Sequence, residues 1–479
     1  MIWRLAMTGF RGIVTAFRIH PGQYLMIMPE LKTISALLLA VCLTLVPSAA
    51  GDTVAAEPAE APVPDETGPL LLTVPETVER VKARNLQLLL QNEQVRRALE
   101  QTYQRRAALL PQFGARAQQT RTQIASDRGA LVTGLPPFNS FSARIEGSLP
   151  LIDAQKFADY RIAKLALAIE RFDYEVAVQD VLDQVMFTYF THLRDLRTVE
   201  ILEGNLARAL QLLDLAEQQF DAGVAVKIDV TRAEVRVAGA KRALMEARTD
   251  ADESILQLKT LLDLDLARPV SLDRSIGVEI DSPRALRLFG EQLDLMEVRP
   301  EFTSRQRQLD QAVLAKRAVN WQRLPEIDLF ADWGYDSAEA LDGDEGEAWL
   351  IGIRATVPIW EGGRIAAERR EAKAAIRQNR FAVEQVRNEI QREFEFAGLE
   401  MDSRYEQIEF ARDEVRLGQD EVDQAQQRYR EGLADNRELI DAQQSLADAE
   451  ESLVRAVYLY GLSRLSFARS IGAVERVVN

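Results

Sequence analysis

Histidine and cysteine are almost missing from this chain: among 479 residues only His20, His192 and Cys42 carry those side chains. Zinc sites, thiol catalysis and disulfide frameworks need more ligands or thiols than that. A basic surface is missing as well. Lys and Arg number 58 against 74 Asp and Glu, a net charge of −16, whereas nucleic-acid binding needs a concentrated positive face, so no nucleic-acid partner is expected. Proline is absent from two very long stretches, 154–221 and 364–430, and nothing there forces a helix to break. Beyond residue 46 there is no apolar run of about eighteen residues, the length a helix needs to cross a bilayer. A membrane crossing by this chain would therefore have to be a closed β-barrel.

What apolar run there is lies near the start. Residues 34–46 are apolar, preceded by Lys32 and followed by Pro47-Ser48-Ala49-Ala50-Gly51. That layout is a secretory signal with cleavage after Ala50, so residues 1–50 are expected to be a signal peptide. The segment before it, with Arg4, Arg11 and Arg18, is long for such a leader, and a start at Met26 or Met28 gives an ordinary length. Val41 stands where a lipobox has a small residue, which argues against a lipid on Cys42. Residues 51–72, rich in Pro, Ala and Glu at first, are expected to be a flexible lead-in.

The rest is organised as a repeat. Leu149-Pro150-Leu151-Ile152-Asp153 reads against Val357-Pro358-Ile359-Trp360-Glu361 at an offset of 208, and Phe220-Asp221-Ala222-Gly223 against Tyr429-Arg430-Glu431-Gly432 at 209. A third anchor, Leu110-Pro111 against Leu324-Pro325, has offset 214. The six extra residues of the first copy fall between the Pro anchors and belong in a hairpin loop. Internal repeats decide architecture before other signals do. The expected plan is repeat 1 at 73–268, a linker or equatorial segment at 269–298, repeat 2 at 299–472 and a tail at 473–479.

Each repeat reads as a helix, two strands and a long helical hairpin. A helix over Ala154 to Asp221 spans 68 residues, or ~100 Å at the α-helical rise. Its counterpart runs from Arg364 to Arg430. Val199, Leu202, Leu206, Ala209, Leu213, Ala216 and Phe220 alternate steps of three and four, as do Leu439, Ala442, Leu446, Ala449, Leu453, Ala456 and Tyr460. This is a coiled-coil seam, rich in Ala so that helices approach closely. Gly223 and Gly432 end the long helices. Return helices are expected over Asp229 to Leu264 and Glu438 to Phe467, and leading helices over Pro75 to Leu109 and Arg299 to Arg323.

Between the Pro anchors the period drops to two. Phe141, Ala143, Ile145, Gly147 and Leu149 alternate with Ser142, Arg144, Glu146 and Ser148. Ile327, Leu329, Ala331, Trp333 and Tyr335 alternate with Asp328, Phe330, Asp332, Gly334 and Asp336, and Trp349, Ile351, Ile353, Ala355 and Val357 with Leu350, Gly352, Arg354 and Thr356. A weaker fourth begins at Phe113. Ten-residue strands with one apolar and one charged face are the signature of a transmembrane barrel, although a half-buried soluble hairpin reads the same way. Four strands cannot enclose a useful lumen. Three copies would give twelve.

In that order and spacing these phrases resemble the TolC-like outer membrane efflux proteins of Gram-negative bacteria. Arg299-Pro300-Glu301-Phe302 opening the second copy, Gln219 to Gly223, Arg428 to Gly432 and Asp441-Ala442-Gln443-Gln444-Ser445-Leu446 add to the likeness, which covers roughly Thr73 to Gly472. The resemblance implies a mainly α fold with β: a homotrimer whose twelve-stranded barrel, four strands per chain, is embedded in outer-membrane lipid. A long α-helical barrel would continue into the periplasm, girdled by an equatorial region at residues 265–290 plus the tail after Ile471. It also implies an exit duct that takes cargo from an inner-membrane transporter through a periplasmic adaptor.

No nucleophile–base–acid set and no phosphate loop is present, so no catalysis and no cofactor is expected. What needs residues is selectivity and gating. Glu438 and Asp441, three apart after the second turn, match the tunnel-entrance acids of efflux members and are ring candidates, with Asp229 their partial counterpart because Arg232 replaces the second acid. Helix capping explains acids at these places equally well. Tyr429, Arg428 and Arg430 are aperture candidates, whereas Phe220 reads as seam packing. Ala434 stands where some members carry a basic latch residue. Gly223, Val224, Gly432 and Leu433 form small hairpin tips suited to adaptor contact. Two other readings, a periplasmic adaptor and a structural coiled-coil envelope protein without a pore, share the helical hairpins but not the duplicated strands.

Overall fold

The structure is a computed structural model and describes residues 70–123, 137–223, 225–273, 282–338, 346–431, 433 and 436–474. The leader, with Cys42 and His20, and Val224, Gly432 and Ala434 lie outside the described residues.

Two helices dominate: α3 (Ala154–Asp221) and α8 (Arg364–Arg430), which end where the sequence predicts. They begin differently. The Asp153 carboxylate accepts a hydrogen bond from the Lys156 amide at 2.8 Å and caps α3, whereas α8 starts after Gly362 and Gly363, both at positive φ. The return helices are α4 (Lys227–Leu261) and α9 (Asn436–Ser470), each packed along its long partner.

The first leading helix is not one rod. It divides into α1 (Val74–Arg84) and α2 (Leu86–Ala107), with Asn85 extended between them. Asn85 Oδ1 accepts from the amides of Gln87 and Leu88, and its Nδ2 donates to Leu261 O at 2.8 Å. A buried Asn that caps a new helix and satisfies the end of another outweighs the cost of the break. Thr73 and Glu76 form a reciprocal capping box at the start of α1. The second leading helix, α7 (Pro300–Trp321), is unbroken and lies against both α3 and α8.

Leu70–Leu72, which composition assigns to the lead-in, instead form β1, paired in parallel with β4 (Val270–Leu272). Leucines at the end of that segment have a core to enter, and Leu72 is buried beside Leu182, Val185 and Tyr189. The Tyr189 hydroxyl sits 3.1 Å from Leu72 O, tying α3 to this small sheet. Nearby are α5 (Pro283–Glu291) and the short α6 (Leu295–Val298). A second cluster packs Phe467, Ile471, Met401 and Tyr460 between α8 and α9. The third lies near the hairpin ends, where Leu212, Ala216 and Val230 of one hairpin meet Val422, Tyr429 and Leu439 of the other.

The larger sheet is antiparallel throughout, in the order β2 (Gln112–Thr122), β3 (Phe138–Ile152), β5 (Glu326–Ser337) and β6 (Gly346–Thr356). Its register places Ile145 opposite Trp333, and Trp333 opposite Trp349. β3 runs on through Pro150 with a register shift before Ile152, whereas β6 stops ahead of Val357-Pro358. Proline has no N–H to give a ladder, so a bulge or a strand end is where it fits.

Candidate functional site

Because facing residues of an antiparallel pair share a side, the register sorts the four strands into two faces. One face holds Phe113, Ala115, Ile145, Leu149, Leu329, Trp333, Tyr335, Trp349, Ile351 and Ile353. These are large apolar groups and many are exposed on this chain. The other holds Arg116, Arg144, Glu146, Asp328, Asp332, Asp336 and Arg354. Arg144 spans two carboxylates, at 2.7 Å from Asp332 and 2.6 Å from Asp336, and Arg116 lies 3.3 Å from Glu146. The Arg354 guanidinium lies over the Phe330 ring, 4.8 Å from its centroid. A sheet apolar on one side and ion-paired on the other separates lipid from water. Its two edges, β2 and β6, have no partner strand among the described residues.

At the far ends of the hairpins the predicted residues are brought close to one another. Gly223 takes φ +75° and closes the first turn. Glu438, in the first turn of α9, lies 3.1 Å from Arg428, and Asp441 lies 3.7 Å from Arg437. Asp229 occupies a capping position: its Oδ2 accepts from the Val226 amide at 3.4 Å, and its Oδ1 lies 3.4 Å from Arg232. Arg430 and Leu433 are exposed. The two aromatics exchange the places expected for them. Tyr429 is 4 % exposed, inside the cluster shared by both hairpins, while Phe220 is exposed with the Lys227 ammonium 5.8 Å from its ring centroid. Tyr429 reaches the seam because its side of α8 faces Ala216 and Val230. Burial, with the Asp229 carboxylate nearby, pushes the Tyr429 phenol above its ordinary range.

Sequence reasoning missed the residue that joins the hairpins. Asn436 is fully buried and donates from Nδ2 to Asp229 O at 2.8 Å. Farther up, Arg208 of α3 pairs with Glu450 of α9 at 2.5 Å, and Arg236 of α4 contacts Gln444. Only the 208-residue offset between Arg236 and Gln444, equal to the repeat, hinted at such links. Among the described residues no helix is long and apolar enough to cross a membrane, and no group of three His, Cys, Asp or Glu is placed to hold a metal.

The family model for outer membrane efflux proteins matches residues 77–263 and 294–473. The chain belongs to that family. Its solved neighbours are channels of the same fold. The CmeC outer membrane channel of Campylobacter jejuni superposes with a TM-score of 0.74 at 19 % identity, covering 84 % of this chain and 86 % of that one. VceC of Vibrio cholerae gives 0.73 at 16 %, covering 84 % and 96 %. Curated relatives include the alkaline protease secretion protein AprF of Pseudomonas aeruginosa, 25 % identical over 49 % of each chain. The solvent efflux pump outer membrane protein SrpC of Pseudomonas putida is 26 % identical over 59 % of this chain and 60 % of its own. The match spans about half the length of the first such relatives. Membership places the protein in the outer membrane of the Gram-negative envelope, with its helices on the periplasmic side.

Proposed function

We propose that three copies of this chain close their four-stranded sheets into a twelve-stranded barrel and serve as the passive exit duct of a tripartite efflux or type I secretion system. The observation that carries this reading is the sheet itself: apolar on one face, ion-paired on the other, with both edges open. Unpaired strand edges are prohibited in lipid, and pairing β6 of one copy with β2 of the next removes them all. Repeat 1 (73–268) and repeat 2 (299–472) each supply two strands and one helical hairpin to the duct. Exposed apolar side chains along the helices, among them Phe381, Leu399 and Phe410 on α8 and Val235 and Met245 on α4, supply the surfaces that neighbouring copies cover.

The hairpin ends then converge at the periplasmic mouth. Glu438, Asp441 and Asp229 of three copies form its acidic ring, with Arg428 and Arg430 around the aperture. Gly223, Val224, Gly432 and Leu433 are the tips that meet a periplasmic adaptor, which delivers cargo from an inner-membrane transporter. Relatives are named for alkaline protease secretion, pyoverdine export and solvent efflux, so cargo is chosen by the pump and not by the duct. Protein extracted from outer membranes should migrate as a heat-modifiable trimer and give single-channel steps in planar bilayers. A monomer released by salt, or a trimer that conducts no ions, would reject the duct in favour of an adaptor or a structural coiled coil.

A further inference from the structure

The two repeats carry the register of their strands with them. β2 and β5 follow the anchors Pro111 and Pro325, which differ by 214, while β3 and β6 run into Pro150 and Pro358, which differ by 208. In the first hairpin Gln112 faces Ser148. Moving the former by 214 and the latter by 208 lands on Glu326 and Thr356, and these two face each other in the second hairpin. The far end agrees: Thr122 with Phe138 becomes Asp336 with Gly346, again an observed pair. The duplication therefore preserves strand pairing residue by residue.

One seam remains to be translated. β3 and β5 are joined within the chain, with Gly147 facing Ala331 and Leu149 facing Leu329. Their counterparts are β6 and β2, the two open edges of the sheet. Ala355 answers to Gly147, Ala117 to Ala331, Val357 to Leu149 and Ala115 to Leu329. Four strands cannot curl far enough to join their own edges, so a second copy has to supply the missing side. Two observations on this chain agree with the transferred register. It sets apolar residues opposite apolar residues, which a slip of one would reverse. In addition β6 ends at Thr356, whereas β3, with β5 beside it, runs past the matching Ser148 as far as Ile152. What β6 lacks there is a neighbour, and Val357 is left exposed.

We propose that β6 of one copy pairs antiparallel with β2 of the next in this register, with Ala355 opposite Ala117 and Val357 opposite Ala115 of the next copy. The seam between copies is then a translated repeat of the seam between β3 and β5. This rests on the barrel reading above and adds to it which residues meet. The two seams differ on the wet face. Arg144, Asp332 and Asp336 clamp β3 to β5, and their counterparts are Gly352, Gln118 and Thr122. The clamp is thus not repeated between copies, where the ladder of backbone hydrogen bonds carries the joint.

Disulfide trapping tests it on the full chain in outer membranes, in a Cys42→Ala background that removes the chain's own thiol. Four substitutions serve, Ala115→Cys, Ala117→Cys, Ala355→Cys and Val357→Cys, combined two at a time. Facing residues of an antiparallel pair have Cα atoms about 4.5–5.5 Å apart, within disulfide reach, whereas a slip of two residues puts them about 7–8 Å apart. Ala355→Cys with Ala117→Cys, and Val357→Cys with Ala115→Cys, should run on denaturing gels after mild oxidation mostly as a covalent trimer that reductant returns to monomer. The crossed combinations, position 355 with 115 and 357 with 117, use the same four substitutions and should stay largely monomeric on those gels. Equal or stronger linking in the crossed combinations would mean closure in another register. Linking in none of the four, in protein that still migrates as a heat-modifiable trimer, would mean closure through other edges. Either result overturns the proposal and leaves the duct standing. Protein that is monomeric before oxidation and denaturation takes the barrel reading down with it.

Discussion

Arg144 lies across Gly334, its partner in the register of β3 and β5, and reaches the carboxylates on either side of that glycine, Asp332 and Asp336. A Cβ at position 334 would fall 2.1 Å from Ala143 O and 2.8 Å from Arg144 Cγ. The glycine is the seat in which the guanidinium stem rests. Gly334→Ala should therefore push β3 and β5 apart locally and lower thermal stability by roughly 1–3 kcal/mol. The midpoint temperature of heat-modifiable migration reads the loss; an unchanged midpoint would show that the strands slide to accommodate the methyl group.

Asn85 satisfies two helix ends with one side chain. Asn85→Ala removes two accepted bonds at the start of α2 and the donor to Leu261 O, and should destabilise the helical part by about 1–2 kcal/mol. Asn85→Asp restores the acceptor but not the donor and should recover only part of it. Thermal unfolding followed by far-ultraviolet circular dichroism distinguishes the pair.

Arg299 is a buried knot. Its guanidinium lies 3.0 Å from Glu301, 3.0 Å from Glu393 and 3.0 Å from Ser470 O. Burial alone would raise the Glu301 carboxyl, yet the hydrogen bond and charge of Arg299 outweigh it and hold the group below its ordinary value. A carboxyl depressed in the folded state contributes stability that is present above its unfolded value, about 4.3, and is lost as pH falls through the folded one. Acidification below that value should loosen the knot. Arg299→Ala should cost about 2–3 kcal/mol at neutral pH, after allowance for the partial exposure of the carboxylates. It should also flatten the acid limb of the stability profile. An unaltered acid limb in the variant would place that titration elsewhere.

The acids at the hairpin ends are not bare. Glu438 and Asp441 each stand beside an arginine, so replacing both with Ala removes negative charge and uncovers Arg428 and Arg437. The double variant should show a lower ratio of cation to anion permeability and weaker block by divalent ions in planar bilayers. Identical reversal potentials for variant and parent would reject the ring.

Tyr429 carries a buried hydroxyl with no hydrogen-bond partner among the described residues. Removing an unsatisfied buried polar atom relieves a desolvation penalty, and Tyr429→Phe should match or exceed the parent in thermal stability. A clear drop would reveal a partner supplied by a second copy.

Much of the fold could be read in advance, for reasons local to the chain. The long helices lie in proline-free stretches, each preceded by a Pro phrase and followed by a turn glycine, and their bounds at 154–221 and 364–430 agree with the structure. Strand faces follow from alternation, which needs no partner to be recognised. What escaped depends on neighbours distant in sequence. Asn85 breaks a helix because Leu261 lies beside it, and Arg144 finds Asp332 and Asp336 only once the register of β3 against β5 is set. The exchange of roles between Tyr429 and Phe220 has the same origin, since the repeat gives them equivalent places and only packing of one hairpin on the other decides which is covered.

The shared fastening at Asn85 also has a mechanical side. Tension drawn up α4 from the turn is handed at Leu261 to the start of α2, and both are bedded beside the small parallel sheet of β1 and β4. The part of a tug that travels along α4 is thus shared with α2 and with that small sheet.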